Sequence, residues 1–103
     1  MIYLDYSATT PLDSRVADFM DAVGRESFGN PSSIHQLGQS ARSRVETARR
    51  LVASAIGARP SEIIFTGSGS ESNNIVLWDV VQRKGEHIII SAVEHPSVYN
   101  TAK

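Results

Sequence analysis

The sequence predicts an α/β fold in which a parallel sheet begins. Three observations predict it. An apolar run, Glu62-Ile63-Ile64-Phe65-Thr66, ends in the small-residue stretch Gly67-Ser68-Gly69-Ser70. A helix-like pattern carrying Ile75, Val76, Leu77, Trp78 and Val81 follows. A second run, His87-Ile88-Ile89-Ile90-Ser91, is rich in β-branched residues and does not alternate, which is how a strand buried on both faces reads. Strand, helix and strand in that order imply a right-handed crossover and a parallel pair.

The elements before this unit follow from local pattern. Ile2-Tyr3-Leu4 is a short apolar start that suits an edge strand. Asp5-Tyr6-Ser7-Ala8-Thr9-Thr10-Pro11 is irregular, rich in hydroxyls and stopped by proline. Asp13 can cap a helix whose Val16, Phe19, Met20 and Val23 form one apolar stripe, with Gly24 fitting its end. Phe28-Gly29-Asn30-Pro31-Ser32-Ser33 carries turn signals. A long helix is expected from about Ile34 or His35 to Ile56, with Ala41, Val45, Ala48, Val52 and Ala55 on its inner face. Arg42, Arg44, Arg49 and Arg50 read as a solvated face, and Gly57 and Pro60 stop the helix. The helix after the glycine-rich turn is expected to end near Lys84 or Gly85, and another to start at Ser97. Trp78 reads as core or interface packing.

A chain of 103 residues with net charge −1 makes one small domain at most and gives no sign of binding nucleic acid or a membrane surface. No apolar run reaches the length of a membrane span and no secretory signal is visible, so the cytoplasm is the expected compartment. There is no cysteine, and the three histidines lack metal-ligand spacing, so no metal site is expected. A parallel sheet needs cover on both faces and more than two strands. The chain is therefore expected to be a fragment or one piece of a split protein, exposing apolar strand surface when alone.

The turn after Phe65 is the candidate site. A strand, a glycine-rich turn and a helix point backbone N–H groups and a positive dipole end at one spot, and phosphate suits that spot. No Gly-Lys-Ser/Thr follows, which excludes a Walker A loop. Ser72 stands where a dinucleotide fingerprint needs its third glycine. Ser68-x-x-Glu71 also makes a capping box. On these residues alone, a ligand site and a purely structural turn both stay open.

Six blocks in order resemble the N-terminal part of the cysteine desulfurases, in the class V aminotransferase group of pyridoxal-phosphate enzymes. They are Tyr3-Leu4-Asp5-Tyr6-Ser7-Ala8-Thr9-Thr10-Pro11; Phe28-Gly29-Asn30-Pro31-Ser32-Ser33-x-His35-x-x-Gly38; Ala48-Arg49; Glu62-Ile63-Ile64-Phe65-Thr66; Glu71-Ser72-Asn73-Asn74; and Glu94-His95-Pro96-Ser97-Val98. The resemblance implies the N-terminal part of a fold-type I transferase. Residues 1–13 would be an arm of the small domain, 14–57 a helical segment leading into the large domain, and 58–103 the first βαβ part of the domain that binds pyridoxal 5'-phosphate.

It further implies that Gly69 and Ser70 hold the cofactor phosphate, and that His95 stacks on the ring and helps in proton transfer. Ala8, Thr9, Asn30 and His35 would border the substrate entrance. The family commonly has Ala and Thr where this chain has Gly69 and Ser70. The complete enzyme would be a homodimer. It would convert L-cysteine to L-alanine, leave a persulfide on the enzyme, and pass the sulfur to an iron–sulfur scaffold or another acceptor. The only lysines are Lys84 and Lys103, and there is no cysteine. Neither lysine stands where the family's Schiff-base lysine does. The expectation is that this chain alone is inactive and needs the remaining C-terminal part of the enzyme or a complementary chain. A selenocysteine lyase, another class V enzyme, or a non-catalytic phosphate-binding or interaction fragment are the alternatives.

Overall fold

The computed structural model describes residues 2–83 and 87–103. The first helix, α1 (Ser14–Glu26), starts where an acceptor is available: the Asp13 carboxylate takes the Arg15 N–H at 2.9 Å. The Arg15 guanidinium returns to that carboxylate at 2.7 Å, which holds Asp13 below the usual carboxylate range. Helix α1 runs through Gly24 instead of stopping there. Its final turn carries the Arg25–Asp21 ion pair at 2.9 Å, and Ser27 closes it on the Val23 carbonyl.

The following loop is folded on itself. Asn30 accepts the Ser32 N–H on its side chain and the Ser33 N–H on its carbonyl, each at 2.9 Å. Helix α2 (Gln36–Ile56) then begins with His35 as its cap, Nδ1 accepting the Gly38 N–H at 3.3 Å. Gly38 is buried, and only glycine fits there: a Cβ would lie 2.7 Å from the Asn30 carbonyl oxygen and collide with that of Ser33. Helix α2 ends on Gly57 at φ 69°, with Ala58 N–H bonded to the Ala53 carbonyl at 2.9 Å. This is a Schellman ending, and it explains the glycine. Pro60 opens a single 3-10 turn, Pro60–Glu62.

Two expectations about α2 change. Of its expected inner face, Ala41 is buried and Val45 half-buried, while Ala48, Val52 and Ala55 are exposed; Ala53 is buried instead. The arginines are not simply a solvated face. Arg44 pairs with Glu26 of α1 at 2.9 Å, and Arg49, half-buried, donates to the Ile63 carbonyl. Between α1 and α2 lies an open apolar cleft of about 470 Å³, lined by Phe19, Val23, Val45, Ala48 and Leu51 among others.

The chain divides into two units, Met1–Ile63 and Ile64–Lys103. The second carries α3 (Gly69–Gln82) and the one-turn helix α4 (Pro96–Tyr99). Arg83 caps α3, so the expected stop at Lys84 or Gly85 lies outside the described residues. Helix α4 falls where a helix was expected to start.

The strands are the main correction. Among the described residues there is none: Ile2-Tyr3-Leu4, residues 62–66 and residues 87–91 carry no ladder. Glu62 closes the 3-10 turn, and Ile63 beyond it is extended at φ −97°, ψ 124°. Extended backbone becomes a strand only when a neighbour takes its N–H and C=O groups. The two apolar runs do not supply that neighbour to each other. The expected parallel pair is therefore not formed, and Ile89 is 96% exposed. Trp78, expected in packing, is 59% exposed, and the buried apolar core of the described residues is Ala41 and Ala53. Among those residues no helix is long and apolar enough to cross a membrane.

Candidate functional site

The N-terminus of α3 is built by four side chains. Ser68 caps it, its Oγ accepting the Glu71 N–H at 3.2 Å. The Glu71 carboxylate reaches back to the Gly67 N–H at 2.6 Å. The expected capping box is thus shifted by one residue on its glutamate side. Thr66 Oγ1 lies 2.7 Å from Ser72 Oγ and ties the incoming chain to the first turn. An acidic side chain in the first turn suits the positive end of the dipole.

This capping leaves a distinct set of donors. Among the described residues, the N–H groups of Gly69 and Ser70 and the Ser70 hydroxyl have no acceptor, while the Ser70 carbonyl takes Asn74 Nδ2 at 2.7 Å. The Gly69 side is also open: a Cβ there would meet nothing within 4 Å. Two N–H groups and a hydroxyl at a helix N-terminus are the donor chemistry a phosphate takes.

His95 lies in the same unit, as cap of α4. Its Nδ1 accepts the Ser97 N–H at 3.1 Å and lies 2.8 Å from Ser97 Oγ. Ser97 Oγ in turn accepts from Asn73 Nδ2 of α3 at 3.0 Å. A second tie runs beside the first: Thr101 Oγ1 is 2.9 Å from Asn74 Oδ1 and 3.0 Å from the Ser97 carbonyl. Asn73 is four residues after Gly69 and three after Ser70, hence one turn along the same face, a rise of about 6 Å at 1.5 Å per residue. The segment that presents the exposed imidazole is thereby fastened one turn inside the free donors.

Ala8, Thr9, Asn30 and His35 belong to the first unit, and each has a local partner. The Ala8 and Thr9 N–H groups bond to the Asp5 carbonyl at 3.1 and 3.3 Å. Tyr3 Oη lies 3.0 Å from the Thr9 carbonyl, and its ring stands edge-on to Tyr6 at 5.2 Å. Asn30 makes the turn before α2 and His35 caps that helix. Asn73, Asn74, Ser97 and Thr101 were not picked out as site residues. Their signal was present: two adjacent asparagines inside a helix are poor helix formers and call for side-chain partners.

Residues 2–103 match the family described as aminotransferase class-V. The chain is 51% identical over 100 residues to a cysteine desulfurase IscS of Dictyoglomus turgidum, a match covering 94% of this chain and 25% of that protein. It is 42% identical to cysteine desulfurase IscS 1 of Archaeoglobus fulgidus, covering 100% of this chain and 28% of the relative. Among solved structures, a NifS-like protein superposes with a TM-score of 0.81 at 39% identity, over 91% of this chain and 27% of that one. The chain thus spans about a quarter of the length of the relatives it matches. It belongs to the class-V aminotransferase family.

Proposed function

We propose that this chain is the N-terminal segment of a pyridoxal-phosphate-dependent cysteine desulfurase. One observation carries the reading: the Asn73–Ser97–His95 chain fastens an exposed imidazole to the helix whose first N–H groups are free. Gly69 and Ser70 fit the cofactor phosphate by their donors, and His95 fits a place against the ring, since imidazole is flat and carries a hydrogen-bonding nitrogen on its exposed edge. When bound, the cofactor supplies an electron sink for bond cleavage at the amino-acid substrate. The segment's own task is to hold the phosphate and to present the His95 imidazole to the ring.

The substrate is L-cysteine, the products are L-alanine and a protein-bound sulfur for an iron–sulfur scaffold or other acceptor, and the compartment is the cytoplasm. Ala8, Thr9, Asn30 and His35 border the substrate entrance of the homodimer. The runs at 63–66 and 87–91 join the mostly parallel sheet of a fold-type I large domain once the rest of the enzyme pairs with them. The open apolar faces of α1, α2 and α3 support this, because they await cover.

The lysine that holds the cofactor and the sulfur-accepting cysteine are supplied from outside these 103 residues. The chain alone therefore releases no alanine from cysteine. Adding the polypeptide that carries those two groups restores both the visible absorbance of bound cofactor and alanine release. Alanine release by the purified chain alone would refute the assignment of those groups.

A further inference from the structure

We propose that Asn73 and Ser97 are positioning residues that hold neutral His95 as its Nε2–H tautomer, so that Nε2 is presented to the site as a hydrogen-bond donor. The proposal rests on the reading of this unit as a cofactor site. A neutral imidazole has one donor nitrogen and one acceptor nitrogen. The Ser97 backbone N–H only donates, and it faces Nδ1 at 3.1 Å, so Nδ1 presents its lone pair. The hydroxyl beside it is oriented the same way. Asn73 Nδ2 also only donates, and it sits 3.0 Å from Ser97 Oγ. Ser97 Oγ therefore accepts from Asn73 and sends its own proton to Nδ1 across 2.8 Å. Both donors point at one nitrogen, and the ring proton is left on the other.

Among the described residues Nε2 has no protein partner. A group bound against His95 thus meets an N–H donor there. The direction of the relay is set on α3, one turn from Gly69 and Ser70, so the two halves of the proposed cofactor site are coupled through Asn73.

The test uses ring-nitrogen NMR of the full chain labelled with 15N-histidine at about pH 8.5, two units above the ordinary histidine value. His95 is assigned by its loss in His95→Gln. The expected parent spectrum has a pyridine-type Nδ1 and a protonated Nε2. Ser97→Ala removes the hydroxyl donor and is expected to add a measurable Nδ1–H population. Asn73→Asp should shift the ring further, because a carboxylate takes the Ser97 proton and leaves an oxygen lone pair facing Nδ1. Ser97→Thr keeps the hydroxyl and is expected to restore the parent spectrum. All three variants keep the Asn74–Thr101 tie that anchors α4.

In the completed enzyme, kcat/KM for cysteine is expected to fall about tenfold in Ser97→Ala at unchanged cofactor occupancy, and to recover in Ser97→Thr. A parent ring protonated at Nδ1, or Ser97→Ala and Asn73→Asp spectra identical to the parent, would overturn the relay whether or not cofactor binds. Failure of the parent to take up pyridoxal phosphate would instead overturn the cofactor reading.

Discussion

Asn73 donates from Nδ2 to Ser97 Oγ across 3.0 Å, joining residues 24 positions apart. With the Thr101–Asn74 contact, it fixes α4 and the imidazole at its cap against the first turns of α3. These are side-chain bonds between short polar residues, half-buried and independent of any sheet. The geometry of the candidate site is thus held by a few hydrogen bonds, each of which can be removed singly.

Thr101→Val deletes the hydroxyl shared between Asn74 and the Ser97 carbonyl and leaves the side-chain volume nearly unchanged. We expect a loss of about 1 kcal/mol, the usual net value of one hydrogen bond. The amide of Ala102, which bonds to the Val98 carbonyl, should exchange several-fold faster with deuterium. Exchange at the parent rate would show that this tie does not hold α4.

Ser68 and Ser70 stand two positions apart and should respond in opposite ways. Ser68→Ala removes the N-cap of α3 and should cost about 1 kcal/mol in a urea titration. Ser70→Ala breaks no hydrogen bond among the described residues and should leave the urea midpoint in place. Its effect is expected only when phosphate or cofactor is present.

Gly38 and Gly24 make a second contrasting pair. An added Cβ at Gly38 would press on the Asn30 and Ser33 carbonyls, so Gly38→Ala should destabilise by about 1–3 kcal/mol, as overpacking does. Gly24 lies inside α1 with nothing within 4 Å of a Cβ, and Gly24→Ala should stabilise by about 0.5–1 kcal/mol. Thermal midpoints of the two variants should move in opposite directions.

Acid should loosen the entry to α1. The Arg15 guanidinium and backbone N–H hold the Asp13 carboxyl below its ordinary 3.8. A carboxylate lowered by folding stabilises the fold fully above its unfolded value, and that contribution disappears as pH falls through the lower folded value. Glu62, lowered by Arg59, acts in the same direction at the 3-10 turn. Helical circular dichroism should therefore decline below about pH 3.8 in the parent. In Asp13→Asn, which caps equally well without titrating, the part of that decline belonging to α1 should be absent.

What could be read from the sequence was what local chemistry decides. Asp13 and Ser68 as caps, Gly57 as a stop and a helix beginning beside His35 each depend on residues within one turn. Gly24 misled because a glycine resembles a stop signal, yet the pattern beyond it continued the helix. The apolar runs at 63–66 and 87–91 report what would be buried but not what pairs with them, and no pairing occurs within the described residues. Arg49 was read from its charge, whereas its guanidinium meets a carbonyl 14 positions away. The Asn73–Ser97 bond is likewise a long-range contact, so the pieces of the candidate site were legible in the sequence and their linkage was not.

We propose that the free donors of Gly69 and Ser70 and the imidazole of His95 serve one phosphorylated pyridine ring. Titration of pyridoxal 5'-phosphate into the completed enzyme, followed by its visible absorbance, tests it most directly. Ser70→Ala is expected to weaken binding at least about tenfold, the value of a hydrogen bond to a charged group, and His95→Ala to weaken it and alter the absorbance. Equal affinity and an identical spectrum in the parent and both variants would contradict it.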